Sequence, residues 1–190
     1  MFKKFLEYTS LLLVATIFVG LGLWQLDRAR DMKTILNAPA PAITAPVPLQ
    51  DLAKPRTALD TAVDSKTISA SGFYVANFQA PNQVDGTGVV SDWEVALMQV
   101  DTTSAILVVR GLWSERLNEP QLAMSNRIEL TGILRAHQNE DRALNSAGVI
   151  SRLDSSVIVG LSDLQLYDGF IVAQSETTRS TDLIRTRVVA

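Results

Sequence analysis

The only histidine of this chain, His137, is followed by Gln138, Asn139, Glu140, Asp141 and Arg142. One imidazole among carboxylates could ligate a metal, or it could sit solvated in a loop. A closed metal site needs three or four ligands at set spacing, so the solvated loop is expected. Nucleophilic chemistry of the Ser-His-Asp kind has no G-x-S-x-G run to support it. Carboxylate pairs such as Glu140/Asp141 lie in polar runs, where a solvated face is the default. Gly86 and Gly88 lack the strand-to-helix context of a phosphate loop. Met32, Met98 and Met124 are too scattered for a soft copper site. The chain has no cysteine. A disulfide framework, a thiol redox motif, c-type haem attachment and a thiolate copper site are therefore excluded. These residues point to a non-enzymatic protein, with no catalytic, cofactor-binding or metal-binding residue assigned.

Two other constellations suit binding. Arg110-Gly111-Leu112-Trp113 follows an apolar run. A guanidinium at the end of a buried strand must find partners, because an unpaired buried charge is costly. It could take a carboxylate inside the protein, with Trp113 as core. It could also face a partner protein, with Trp113 as anchor, or an anionic group. Both readings stand at this point. The second constellation is Trp24, Gln25 and Arg28. On a helix, residues three and four apart share one side, so all three project together. Tryptophan and a cation suffice for an interfacial belt. The Gln25 amide adds directional hydrogen bonds, which suits a protein partner or an ordered headgroup.

Trp24 closes an apolar stretch. From Phe5 to Leu26 there are 22 residues, about 33 Å of helix at 1.5 Å per residue, enough to cross a bilayer. Tyr8 and Trp24 stand near its ends, as amphipathic rings do at the headgroup level. A buried helix of a soluble domain is the plain alternative. A cleaved signal peptide is another, with Met1-Phe2-Lys3-Lys4 as its charged start. Its cleavage site is missing, since Ala38, Ala40 and Ala42 come too late. Flanking Lys and Arg do not decide the orientation: Lys3 and Lys4 lie on one side, Arg28, Arg30 and Lys33 on the other.

The helix is expected to continue to about Leu36 and to end at Asn37 before Pro39. Pro39, Pro41, Pro46 and Pro48 then make a semi-extended linker, and Leu49 to Leu59 a short helix near the membrane surface. Three parts follow: an anchor helix with its extension over 1–36, linker and short helix over 37–65, and a β-rich domain over 66–190. Strands are expected at Thr67–Val75, Trp93–Val100, Ala105–Arg110, Ile128–Leu134 and Gly169–Ala173. Asp85-Gly86 and Gly88 mark one turn, Asp101-Thr102-Thr103-Ser104 another. The latter joins a hairpin whose second strand is apolar on both faces and so central. Ile128, Leu130 and Leu134 alternate with Arg127, Glu129 and Thr131, as in a half-buried strand. Ser155 to Leu161 is expected to form a short helix capped by Asp154 or Ser155. The fold class is α+β: a transmembrane helix, then a mostly antiparallel, barrel-like extramembrane domain. From Asp27 onward, 15 Lys and Arg face 19 Asp and Glu, which is no nucleic-acid footprint.

In their order, these pieces resemble the surfeit locus protein 1 family, assembly factors of haem-copper cytochrome c oxidase. The matching residues are Gly22-Leu23-Trp24-Gln25-Leu26-Asp27-Arg28 with Lys33, Gly72-Phe73, Asp85-Gly86-Thr87-Gly88, Val108-Val109-Arg110-Gly111-Leu112-Trp113, Gly132-Ile133-Leu134-Arg135 and Arg152-Leu153-Asp154. Val109 replaces the family's usual Asn, and Trp113 stands one place later than the family's Trp.

The resemblance implies a membrane-anchored, non-enzymatic factor that binds an immature oxidase subunit and acts in subunit maturation or haem a insertion. The N-terminus would be cytoplasmic and the main domain extracytoplasmic. Trp24, Gln25, Arg28, Arg110, Gly111 and Trp113 are the candidate partner-binding residues. Haem a is implied as a cofactor only through a histidine of the family's second, C-terminal span. Arg187 to Ala190 would stand just before that span's place, whether it is truncated here or lacking in this member. A short N-terminus without an Arg/Ser-rich transit stretch points to a bacterium. The alternatives are a generic bitopic scaffold for another membrane complex, and a hydrolase or ligand-binding sensor. A large closed apolar pocket lined by converging polar groups would support the last.

Overall fold

The computed structural model describes residues 16–26, 45–118, 126–178, 181–182 and 186–189. The chain divides into two units, Met1–Thr44 and Ala45–Ala190. In the first, residues 16–26 are helical and exposed. No helix among the described residues is long and apolar enough to cross a membrane. The rest of the expected span, Arg28, the helical extension to Leu36 and the prolines from Pro39 to Pro41 lie outside the described residues. The membrane span therefore rests on the sequence alone.

The second unit is built on β1 (Val47–Pro48), β2 (Thr67–Val84), β3 (Val90–Gln99), β4 (Ser104–Leu112), β5 (Ile128–Arg135), β6 (Gln165–Thr178) and β7 (Thr181–Asp182). They form one sheet in the order β1-β2-β3-β4-β6-β5, with β7 on β6. β5 also pairs with β2, Thr67 opposite Ile133 through Gly72 opposite Ile128. The ladder of β2, β3, β4, β6 and β5 thus returns on itself. The pairings are antiparallel except β1 with β2 and β4 with β6. The expected hairpin is β3–β4, turned by Asp101, whose Oδ1 accepts from the Thr103 and Ser104 amides at 2.7 and 2.8 Å. β4 is the central buried strand, flanked by β3 and β6.

Helix is scarce. The turn Leu49–Leu52 is all that forms of the expected Leu49–Leu59 helix. Ala53 is already extended, and Lys54 is biased the same way because it precedes Pro55. Leu49 is fully buried, so it belongs to the core of this unit rather than to a spacer. The expected Ser155–Leu161 helix is two 3-10 turns, Ser155–Val157 and Val159–Leu161. Asp154 caps the first by accepting from the Ser156 amide at 2.8 Å. Gly160 and the β-branched Val157, Ile158 and Val159 disfavour a regular α-helix there.

Two apolar clusters hold the sheet. One draws side chains from all five strands of the closed ladder, among them Ile68, Met98, Ile106, Val108, Leu130, Leu134 and Ile171, and so fills its inside. The other lies on the outer face of β2, β3, β4 and β6 and is covered by Ile150, Leu153 and Ile158 of the 136–164 segment. β4 serves both, Ile106 and Val108 inward, Leu107 and Val109 outward. This double duty is why its sequence reads apolar on both faces.

Candidate functional site

Inside the ladder, the apolar filling gives way at one end to a polar cluster centred on Arg110, which is only 4% exposed. Three register irregularities surround it. Glu94 pairs with Gly111 and Val95 with Val109, so Arg110 is an extra residue in β4, a β-bulge. Tyr74 pairs with Met98 and Ala76 with Leu97, leaving Val75 extra in β2. Ser175 pairs with Thr131 and Ala173 with Gly132, leaving Gln174 extra in β6. A bulge shifts side-chain parity by one. Glu176 thereby points inward, although strict alternation from Ile171 and Ala173 would turn it out.

The contacts are dense. Arg110 Nε and Nη2 donate to Glu176 Oε1 and Oε2 at 2.9 and 3.3 Å. Its Nη1 donates to Glu94 Oε1 at 3.1 Å. The Tyr74 hydroxyl donates to Glu176 Oε1, and the Tyr74 ring lies under the guanidinium, 4.5 Å from centroid to carbon. Arg187 Nη1 donates to Glu176 Oε2 at 3.0 Å and to the Arg110 carbonyl at 2.8 Å. Each Glu176 oxygen thus accepts two bonds, the full capacity of a carboxylate. Two acids and two arginines balance in charge.

Electrostatics follow the geometry. Burial alone would raise the Glu176 pKa, but the Arg110 charge and its hydrogen bonds override it, helped by Tyr74 and Arg187, and hold the carboxyl below its usual range. Burial opposes the charge on Arg110 too, yet the Glu176 carboxylate outweighs it and the guanidinium stays above its ordinary pKa. Burial, then the nearby Glu176 charge, pushes the Tyr74 hydroxyl well above the normal phenol value, so it is a neutral donor. The arrangement balances its charges and ties β2, β3, β4 and β6 to Arg187.

Of the candidate partner-binding residues, Arg110 has carboxylate partners inside the protein, and Gly111 is buried beside it in the ladder. Trp113 lies past the end of β4, half-buried, in the 3-10 turn Trp113–Asn118. Trp24 and Gln25 are exposed on helix 16–26, while Arg28 lies outside the described residues. Sequence reasoning missed Glu94, Tyr74, Glu176 and Arg187 as partners of Arg110. The one available signal was the polar Glu94 inside the otherwise apolar run of β3.

His137 is 40% exposed by side chain, and its Nδ1 lies 2.8 Å from Asp168 Oδ1. Asp168 also accepts the Leu59 amide at 2.9 Å, tying two loops together. A half-open concavity of about 490 Å³ beside it is lined by Trp93, Phe170, Arg135 and Asp64. Among the described residues no group of three or more His, Asp or Glu could hold a metal. His137 is held through Nδ1 by Asp168, and Met98 is sealed in the core.

Two of the motif glycines are explained by close strand approach. A Cβ at Gly72 would stand 2.1 Å from the Gln99 carbonyl oxygen, and one at Gly132 would stand 2.4 Å from the Val172 oxygen. Any side chain at either place would pry the ladder open.

No curated protein and no solved structure matches this chain. The sequence does match the SURF1 family over residues 12–187, from within the apolar N-terminal stretch to the arginine that closes the buried cluster. That family is known for cytochrome c oxidase assembly, and with nearly its whole length matched this chain belongs to the SURF1 family.

Proposed function

We propose that this protein is a membrane-anchored, non-enzymatic assembly factor for haem-copper cytochrome c oxidase. The observation that carries the reading is the family match, which runs through the apolar stretch and the whole β unit rather than through one motif. The apolar residues from Phe5 to Leu26 hold it in the cell membrane, with the Met1 end cytoplasmic and the β unit outside. An immature oxidase subunit is the partner. Trp24, Gln25 and Arg28 meet it at the membrane surface, and Trp113 meets it from the β unit. Arg110 and Gly111 serve that contact from beneath, by setting where β4 stops.

Deleting the gene tests this. Haem-a-containing oxidase should fall while the other respiratory complexes keep their activity. Oxidase polypeptides that persist without haem a place the step at haem a insertion. Loss of the polypeptides places it at subunit maturation. Unchanged oxidase spectra and activity overturn the proposal. Reporter fusions at Ala40 and Ala190 should both report export, and a cytoplasmic signal from either overturns the topology.

A further inference from the structure

A second arginine, six residues beyond Arg110, is disposed of differently. β4 ends at Leu112 and passes directly into the turn Trp113–Asn118. There the Arg116 guanidinium carbon lies 4.0 Å from the Trp113 ring centroid, both side chains half-exposed. A guanidinium laid on an indole keeps its N–H edges free for another acceptor. Among the described residues nothing accepts those N–H groups or the Trp113 indole N–H.

The turn is tied down. Glu115 Oε2 accepts the Thr186 amide at 3.0 Å, and Oε1 accepts the Thr186 hydroxyl at 2.6 Å. The next residue, Arg187, joins the buried cluster. Val188 packs on the outer apolar cluster, and the Val189 carbonyl accepts the Gly86 amide at 2.9 Å. Residues 186–189 thus strap the turn to the fold at successive points. A six-residue 3-10 turn is long for its kind, and this strap accounts for its holding. Side chains fixed before binding lose little freedom on binding.

We propose that the Trp113–Arg116 stack is a preformed recognition element for a carboxylate-bearing polypeptide segment of the partner. This rests on the assembly-factor reading. The free guanidinium edge suits a carboxylate in bidentate fashion. The indole supplies apolar contact and one more donor, and Trp and Arg are where interface energy concentrates. Among the described residues, Glu115 is taken by Thr186, and Glu94 and Glu176 by the buried arginines. An anionic lipid headgroup offers the same charge. It tolerates a loose basic loop, however, whereas this stack is held at the end of a buried strand.

The test uses the full-length, tagged chain isolated from solubilised membranes, with copurifying oxidase polypeptides quantified. Arg116→Glu should lower their recovery about tenfold or more. Arg116→Lys should cost less, since it keeps the charge and loses the planar fork. Thermal unfolding should be unchanged in both. Full recovery with Arg116→Glu, while the wild type still copurifies oxidase polypeptides, overturns the recognition element and leaves the assembly reading intact. Failure of the wild type to retain any oxidase polypeptide overturns the assembly reading itself. A benzophenone amino acid at the exposed Ser114 should crosslink to polypeptide in native membranes. Crosslinks confined to lipid overturn the proposal.

Discussion

Among the described residues, two places hold one arginine between two acids. Arg110 sits between Glu94 and Glu176, with both acids and the arginine almost wholly buried. Arg152 sits between Asp141 and Asp154, at 2.8 and 2.9 Å, where Asp141 is 56% exposed by side chain. The distances are alike, and the surroundings are not. Water around Arg152 screens its pairs and can solvate whichever partner is left behind. Arg110 is buried away from solvent, so each charge depends on the others being present. The comparison teaches that composition and contact distance do not rank ion pairs, and that burial does. It also separates two jobs. The Arg152 pairs trim a loop whose Asp154 caps a 3-10 turn, while the Arg110 cluster joins β2, β3, β4, β6 and the 186–189 strap.

The largest effect should come from Glu176→Gln. It keeps the shape and removes the charge that balances Arg110 and Arg187. Breaking a buried pair from one side costs about 3–5 kcal/mol. Denaturant unfolding of the purified chain, followed by tryptophan fluorescence, should show a loss of that order. A loss below about 1 kcal/mol would mean that the buried arginines find other partners, and the contrast with Arg152 would collapse.

The pH profile sharpens the same contrast. The Glu176 carboxyl is held below its usual pKa in the folded protein, against an unfolded value of about 4.3. Its stabilisation is therefore complete above the unfolded value and lost as pH falls through the folded one. Wild-type stability should drop below about pH 4.3, with Arg110 charged throughout. The Glu176→Gln protein lacks that proton, so its profile should be flatter over the same range. Parallel profiles would show that Glu176 does not carry the acid dependence.

Arg152→Gln should have the smallest effect, an unfolding midpoint close to wild type. A loss matching that of Glu176→Gln would show that burial is not the variable that separates the two clusters.

Much of the frame was legible in the residues. The Asp101–Ser104 turn, the hairpin around it, the centrality of β4 and the alternation of β5 all follow from local pattern, because side-chain period and turn chemistry are local properties. That Arg110 needed a partner was legible too, since a charge at the end of an apolar strand cannot stay unpaired. Which partner was not legible. Glu176 lies 66 residues away, in a stretch where the bulge at Gln174 breaks the alternation that would be used to find it. The helix expected over Leu49–Leu59 stops at Leu52, because Pro55 outweighs the apolar spacing around it.

By itself the sequence determined the absence of thiol chemistry, the apolar N-terminal stretch, most strand positions and the ordered motifs of the family. Only the tertiary structure decided that β5 closes back on β2, that the bulge at Gln174 turns Glu176 toward Tyr74 and Arg110, and that Arg187 completes their charge balance. The reason is physical. Strand identity is written in neighbours two residues apart, whereas closure, register and charge pairing depend on residues that meet only when the whole ladder has formed.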